Sequence, residues 1–175
     1  MKLESKDIIN APLDVVFKLV RDDLEKIVPY LLNIKKIEMK ERTEKNDELH
    51  LINHWYAKAE IPAVAQKFVK PELFSWKDTA IWKNKEYKVD YKLESFWAND
   101  LYSAKGTNSF KAINDKQTEL TVSCEVEIYP DKVPGVPKFL MKQVLPAIEG
   151  LLTKALAPNL TALAKGLNEY FKKNA

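Results

Sequence analysis

The chain contains two histidines, His50 and His54, separated by four positions. On a helix that spacing would place both imidazoles on one face, where they could share a zinc ion. The residues around them instead alternate between apolar and polar types, which indicates a β-strand. Four residues of strand cover about 13 Å, whereas each ligand reaches only about 2 Å to a shared zinc. We therefore predict that both histidines lie at the surface or at the rim of a site, and that the protein holds no metal ion.

The other reactive residues give no support for nucleophilic or phosphate chemistry. Cys124 is the single cysteine, which excludes an intrachain disulfide and a zinc site built from several cysteines. The sequence has no Gly-x-Ser-x-Gly elbow for an activated serine and no glycine-rich loop with the spacing that cradles phosphates. Glu125 and Glu127 fall on the outward face of a predicted strand, where carboxylates serve solvation rather than acid–base chemistry. We predict that no cofactor is bound.

The composition is that of a soluble globular protein. Of the 175 residues, 46% are apolar and 30% are charged, which excludes a disordered chain, and the length fits a single domain over residues 1–175. The net charge of +3 comes from dispersed lysines, so we expect no nucleic-acid partner. The chain shows neither the apolar stretch of a secretory signal nor an apolar run long enough to span a membrane. We expect a cytoplasmic monomer.

Two short helices are predicted between the first strand and the rest of the sheet. Residues 3–9 read as a strand, and Asn10 is expected to cap a helix whose early Pro12 suits the first turn. A second helix follows over residues 22–31, where apolar residues recur at helical spacing, and Pro29 should kink or end it.

From Ile34 to Pro130 the apolar residues recur with a period of two, which predicts six further strands. Short polar segments separate these strands, the first being Arg42 to Asp47, so neighbouring strands should run antiparallel. One of the strands is expected to open at residues 64–68. The last strand, residues 117–130, alternates most regularly, and its inward residues are Leu120, Val122, Cys124, Val126 and Ile128.

A long helix with a broad apolar face is predicted over residues 137–172, after a hinge at residues 130–136. Pro146 and Pro158 each remove a backbone donor and clash with the preceding turn, so kinks are expected at both. A helix of this kind needs a broad surface to cover its apolar face. A curved antiparallel sheet supplies that surface and often leaves a hollow between the two layers.

The inward face of the predicted sheet combines aromatic, small and polar residues. Gly106 and its neighbours Ala104 and Asn108 are small at mid-strand positions where a filled core would favour bulkier side chains. Asn53 and Asp78 place polar groups there that need a partner. The combination is typical of a small-molecule site, although aromatic stripes also fill cores, and that alternative stays open. The candidate ligand-binding residues are Asn53, Trp55, Trp76, Asp78, Tyr91, Tyr102, Gly106, Asn108, Phe110, Leu152 and Leu156.

The order of these elements resembles the helix-grip fold of the START and Bet v 1-like (SRPBCC) superfamily. The segment Ile8–Phe17, IINAPLDVVF, is similar to the strand, Ala-Pro and Val-Phe helix with which members of this group open. The resemblance implies an α+β fold: a curved seven-stranded antiparallel sheet wrapped around a long C-terminal helix, with two short helices after strand 1. It also implies a cavity for sterols, lipids or polyketides, and some members are cyclases, hydrolases or cochaperone-like modules. The two helix prolines depart from the usual pattern near the mouth of that cavity.

Together these features predict the binding or transport of a hydrophobic or amphipathic small molecule, with transient membrane contact, rather than catalysis. One alternative is a polyketide cyclase/dehydratase-type enzyme in which Asp78 and Tyr91 or Tyr102 transfer protons. A desolvated Asp78 with a raised pKa beside open volume would favour that alternative. The other alternative is a protein-interaction module with a filled core, which docks through its helix or an apolar patch.

Overall fold

The computed structural model of the protein describes residues 1–58, 75–96, 102–129, 146 and 160–174. For Ser95, Tyr102 and Ile128 only the backbone is described. The predicted strand opening at 64–68, the hinge at 130–136, Pro158, Leu152 and Leu156 lie outside the described residues.

The chain begins with strand β1 (Lys2–Ile9), helix α1 (Leu13–Asp22) and a 3₁₀ helix (Leu24–Tyr30). The predicted cap at Asn10 is wrong, because Pro12 occupies the N-cap position of α1 and the helix has no side-chain cap there. Asn10 instead joins two distant elements. Its backbone N–H donates to Oδ1 of Asn168 at 2.9 Å, and its Oδ1 accepts from Gln117 at 3.1 Å. Pro29 lies inside the 3₁₀ helix, which ends one residue later.

Six further strands complete one antiparallel sheet, as the alternation predicted. In chain order they are β2 (Ile34–Lys45), β3 (Glu48–Ala57), β4 (Ser75–Lys83), β5 (Lys88–Ser95), β6 (Tyr102–Asn114) and β7 (Gln117–Ile128). The order across the sheet is β1-β7-β6-β5-β4-β3-β2. Strand β1 therefore pairs with the last strand, and α1 and the 3₁₀ helix carry the chain from one edge of the sheet to the other.

The turn between β2 and β3 is shorter than the predicted polar segment Arg42 to Asp47. Strand β2 continues to Lys45, and the turn consists of Asn46 and Asp47, with φ angles of 51° and 66°. Asn and Asp tolerate these left-handed angles better than other side chains do, and two such residues in succession make the tight hairpin turn that suits twisted strands. The polar residues before the turn belong to the exposed end of β2.

One end of the concave face is closed by aromatic packing. Phe17 of α1 meets the rings of Trp82, Tyr87 and Phe110 edge-on, with centroids 5.2, 5.0 and 5.4 Å apart. Edge-to-face contacts at such distances add to the stabilisation from burial. The inward residues of β7 that can be examined, Leu120, Val122, Cys124 and Val126, are all buried, in agreement with the predicted alternation.

Residues 160–173 form a helix, here called α2, that packs on the sheet. Leu167 is fully buried, and Asn168 ties the helix to the end of β1 by donating to the carbonyl of Ile8 at 2.8 Å. At Gly166 a side chain would approach Leu31 to 2.7 Å, so the glycine allows close packing against the segment that follows the 3₁₀ helix. Pro146 is also in a helical conformation. Among the described residues, no helix has the length and apolar character to cross a membrane.

Candidate functional site

A pocket of about 330 Å³ lies between the concave face of the sheet and the helical elements. Its walls come from the six strands β2 to β7, from α1 and the 3₁₀ helix, from the segment between that helix and β2, and from α2. We call it the central pocket. The described residues that line it are Val20, Leu24, Leu31, Asn33, Ile34, Asn53, Trp55, Ala57, Trp76, Asp78, Ala80, Trp82, Val89, Tyr91, Leu93, Ala104, Asn108, Val122, Cys124, Val126, Leu160, Ala162 and Leu163.

The central pocket owes its depth to a glycine and a tyrosine on neighbouring strands. Tyr91 of β5 is paired in register with Gly106 of β6. A Cβ atom at Gly106 would lie 2.5 Å from the Tyr91 hydroxyl and would overlap the carbonyl oxygen of Ser123. The tyrosine ring therefore lies across the glycine, and its hydroxyl donates to that carbonyl at 2.8 Å. Because the ring lies along the sheet and Ala80 is small, the middle of the concave face stays open.

Asp78 sits at one end of the central pocket beside a pair of tryptophans. Trp55 and Trp76 are directly opposite each other on β3 and β4, and their rings stack with centroids 5.7 Å apart. The indole N–H of Trp55 donates to Oδ2 of Asp78 at 3.3 Å. The Oδ1 atom of Asp78 is covered by protein and has no hydrogen-bond partner among the described residues. The buried Asn53 is the cross-strand neighbour of this carboxyl group.

Burial raises the pKa of Asp78 from its ordinary value of 3.8 to about 7, although the hydrogen bond from Trp55 acts in the opposite direction. A carboxyl group removed from water favours its neutral form unless a cation or several donors compensate. No ion pair in the described part of the chain involves Asp78. At neutral pH both protonation states of this group are therefore populated, so it can give or take a proton.

Trp82 and Asn108 carry two further polar atoms without a partner. Both residues line the central pocket, and the Trp82 Nε1 donor and the Asn108 Oδ1 acceptor are buried with no hydrogen bond to any described residue. Each such atom costs about 1–3 kcal/mol when it is left unsatisfied. Together with Oδ1 of Asp78, three polar atoms on residues of this mostly apolar pocket thus have no hydrogen-bond partner in the described part of the chain.

The other polar side chains of the pocket are less reactive. Burial raises the pKa of the Cys124 thiol, which keeps it protonated and a poor nucleophile. Burial also raises the pKa of Tyr91, whose hydroxyl is engaged with Ser123. Among the groups of this pocket, Asp78 is therefore the best placed to exchange a proton near neutral pH.

The structure brings together six of the predicted site residues around the pocket: Asn53, Trp55, Trp76, Asp78, Tyr91 and Asn108. Two others lie outside its lining. Gly106 is covered by Tyr91, and Phe110 packs against Phe17 and Trp82 in the closed end of the sheet. The side chain of Tyr102 is not described, and Leu152 and Leu156 fall outside the described residues.

The contribution of α1 and the 3₁₀ helix to the central pocket was not predicted from the sequence. Val20, Leu24 and Leu31 line it because the chain wraps α1 and the 3₁₀ helix over the sheet. Apolar residues at helical spacing indicate that a helix has a buried face, but they do not show which part of the sheet that face covers. The N–H of Trp82, which has no partner among the described residues, likewise depends on packing that periodicity does not reveal.

The two histidines and the two glutamates of the last strand lie away from the central pocket. His50 and His54 belong to β3 and do not line the central pocket; His54 instead packs edge-on against Phe96, with ring centroids 4.8 Å apart. Glu125 and Glu127 are exposed. A more open depression of about 400 Å³ lies around Lys2, Lys105 and Glu125, but none of the unpartnered buried atoms found in the described residues belongs to it. The central pocket is therefore the stronger candidate.

Comparison with known proteins gives the fold. No family model and no curated protein matches the sequence. Solved structures do match: a protein of Thermus thermophilus has 19% identity and a TM-score of 0.70, covering 100% of this chain and 99% of its own. The Zhui aromatase/cyclase of a Streptomyces species has 11% identity and a TM-score of 0.65, and the match covers 100% of this chain and 96% of that protein. Norcoclaurine synthase of Thalictrum flavum, in complex with dopamine and hydroxybenzaldehyde, has 15% identity and a TM-score of 0.60. The match covers 100% of this chain and 88% of that protein. These matches show the fold alone: the chain has the helix-grip fold predicted from its sequence.

The raised pKa of Asp78 predicts a specific pH dependence of stability. Because folding raises this pKa, the contribution of the neutral carboxyl is complete below pH 3.8 and is lost as the pH rises to about 7. The total loss is about 4 kcal/mol for a shift of this size. Asp78→Asn, which stays neutral, should therefore gain stability relative to the wild type by about that amount between pH 4 and pH 8. Guanidinium chloride unfolding at several pH values measures the difference. Parallel pH profiles for the two proteins would contradict the assignment.

Proposed function

We propose that the protein binds a hydrophobic or amphipathic small molecule in the central pocket. Four buried polar atoms have no hydrogen-bond partner among the described residues. One is Oδ2 of Asp7, and the other three belong to Asp78, Trp82 and Asn108, which line this mainly apolar pocket. These three atoms carry the proposal, because buried polar groups are paired in nearly all native structures and unpaired atoms on residues around an open pocket point to a missing partner. A bound ligand with polar groups would supply it.

The size and composition of the central pocket support this function. Its volume of about 330 Å³ falls at the lower end of the range of about 300–1,000 Å³ found for small-molecule sites. Tryptophan, leucine and valine side chains would contribute binding through burial, at about 25 cal/mol for each Å² of apolar area removed from water. A pocket of this size also argues against the alternative of an interaction module with a filled core. A monomeric state, a cytoplasmic location and transient membrane contact stay predictions.

A blocking variant tests ligand binding directly. Ala80 lines the middle of the pocket and is buried, whereas Ala112 is an exposed residue of β6. Ala80→Phe should fill the open space and reduce the affinity for a hydrophobic dye such as 1-anilinonaphthalene-8-sulfonate by at least about tenfold, because the ring occupies the volume that the dye needs. Ala112→Phe adds the same ring outside the pocket and should leave the affinity unchanged. Fluorescence titration of the dye measures both.

Two outcomes would count against the proposal. One is the absence of saturable binding to the wild-type protein, together with an empty organic extract of the purified protein. The other is equal dye affinity in the Ala80→Phe and Ala112→Phe variants, which would locate the dye at the surface. Thermal unfolding of each variant shows whether Ala80→Phe has kept its fold.

A second candidate function is proton transfer by Asp78 in a cyclase or dehydratase type of reaction. The observation that favours it is a buried carboxyl with a pKa of about 7, beside open volume and with no cationic partner among the residues that the structure describes. A general base or acid works best when its pKa lies near the operating pH. Two solved structures of the same fold are of an aromatase/cyclase and of norcoclaurine synthase. In this reaction Asp78 would remove a proton next to a ligand carbonyl and return it to another atom.

Exchange of ketone α-protons with deuterated water tests this candidate. The wild-type protein should accelerate exchange in 4-phenyl-2-butanone, with a rate that rises through pH 7 as the Asp78 carboxylate forms. Asp78→Asn should lower the accelerated rate by at least about 100-fold, since general base catalysis contributes on that order. Trp55→Phe removes the N–H that favours the carboxylate, so the midpoint should move to higher pH. Nuclear magnetic resonance follows the exchange, and equal rates in the wild type and Asp78→Asn would rule this function out.

A further inference from the structure

Resting on the proposed function, we infer that the ligand is an elongated molecule with a polar group at each end, one facing Asp78 and the other a hydroxyl shared by Trp82 and Asn108. The three unpartnered polar atoms do not form one cluster. They lie at two separate ends of the central pocket, and the residues between them are of a different kind.

The separation of the two ends follows from the strand register. Asp78 and Trp82 are four residues apart on β4, and therefore on the same face of the sheet. At about 3.3 Å for each residue, their Cα atoms are about 13 Å apart. A single small polar group cannot reach both side chains. Two polar groups at opposite ends of one rigid molecule can reach both side chains.

The second end combines a donor with an acceptor. Trp82, Val89 and Asn108 are consecutive partners across β4, β5 and β6, so Trp82 and Asn108 lie two strands apart, at about 10 Å between Cα atoms. The Trp82 N–H needs an acceptor and the Asn108 Oδ1 needs a donor. Because a hydroxyl group accepts one hydrogen bond and donates another, one ligand hydroxyl satisfies both atoms.

The first end has different requirements. Oδ1 of Asp78 has no hydrogen-bond partner among the described side chains and backbone groups, while Oδ2 accepts from Trp55. A ligand donor, such as a hydroxyl or an amine, satisfies Oδ1 when the carboxyl is ionised, and a carbonyl oxygen satisfies it when the carboxyl is neutral. This end therefore accepts several polar groups, whereas the Trp82 and Asn108 end selects a hydroxyl.

The middle of the pocket selects an apolar, flat body. Ala80 lies between Asp78 and Trp82 on the same face, and its cross-strand neighbour Tyr91 lies flat across Gly106. The opposite wall is formed by apolar residues of the helical elements, including Leu24 and Leu163. Polar groups placed there would find no partner among these side chains. The ligand class is thus a planar apolar or aromatic compound hydroxylated at one end and polar at the other.

A matched series of naphthalenes tests this inference. The probes are 2,6-dihydroxynaphthalene, 2-naphthol and naphthalene, which share one ring system and differ in the number of polar ends. The wild-type protein should bind the diol at least about tenfold more tightly than 2-naphthol, because the second hydroxyl satisfies an end that otherwise stays unpaired. Isothermal titration calorimetry measures each affinity.

Variants locate the second end. Trp82→Phe removes the N–H donor and keeps an aromatic ring. Asn108→Leu removes the acceptor and keeps a side chain of similar size. Each variant should lose most of the preference for the diol and should still bind 2-naphthol. Tyr87→Phe also removes a hydrogen-bonding group from the concave side, its partner being Asp14, but Tyr87 does not line the pocket. This control should keep the full diol preference. Asn108→Leu stands as an independent test where Trp82→Phe unfolds, since Trp82 packs against Phe17.

The outcomes separate this inference from the proposed function. Equal affinities for the diol and 2-naphthol, with saturable binding of both, would overturn the two-ended ligand and leave ligand binding intact; trapped water would then satisfy the second end. A diol preference that survives in both Trp82→Phe and Asn108→Leu would overturn the assigned contacts. Failure of all three probes, with dye binding that Ala80→Phe blocks, would overturn the ligand class alone.

Discussion

The contact between Tyr91 and Gly106 is the constraint on which the central pocket depends. A side chain at position 106 would collide with the tyrosine and with the backbone of β7, so the ring can lie along the sheet only over a glycine. The hydroxyl then reaches the Ser123 carbonyl and holds the ring in place. With Ala80 as its neighbour on β4, this arrangement removes bulk from the centre of the concave face. The helical elements pack on the larger residues around that centre. The space between the helical elements and the centre of the sheet therefore remains open.

The rest of the fold must keep the sheet and the helical elements apart so that the central pocket stays open. The edge-on contacts of Phe17 with Trp82, Tyr87 and Phe110 brace one end of the sheet, and the fully buried Leu167 and the hydrogen bonds of Asn168 hold α2 against it. Phe17, Leu167 and Asn168 do not line the pocket, so they stabilise the fold without filling the site. The site itself costs stability, because Oδ1 of Asp78, Nε1 of Trp82 and Oδ1 of Asn108 lose hydration without gaining a hydrogen bond from any described residue. A ligand that supplies those partners would stabilise the folded protein.

The sequence predicted the sheet better than the site, for physical reasons that particular residues illustrate. Alternation along β7 is local information, so its buried face and the antiparallel order could be predicted from period and turns. Asn10 was mistaken for a cap because its true partner, Asn168, lies at the other end of the chain. Phe110 shares the inward face with pocket residues but lies where α1 covers the sheet, which depends on tertiary packing. Asp78 was identified because the predicted alternation placed it on the inward face, where a carboxyl group is costly. Its raised pKa comes from burial, whose extent only the folded arrangement reveals.

The central claim is that a small molecule occupies the space between the concave sheet and the helical elements. A crystal structure of the protein with 6-bromo-2-naphthol tests it most directly, because the anomalous scattering of bromine locates the ligand independently of the protein. We expect a bromine peak inside the central pocket, over Ala80 and between Asp78 and Trp82. A pocket filled by the protein's own side chains, with bromine peaks only on the outer surface, would contradict it.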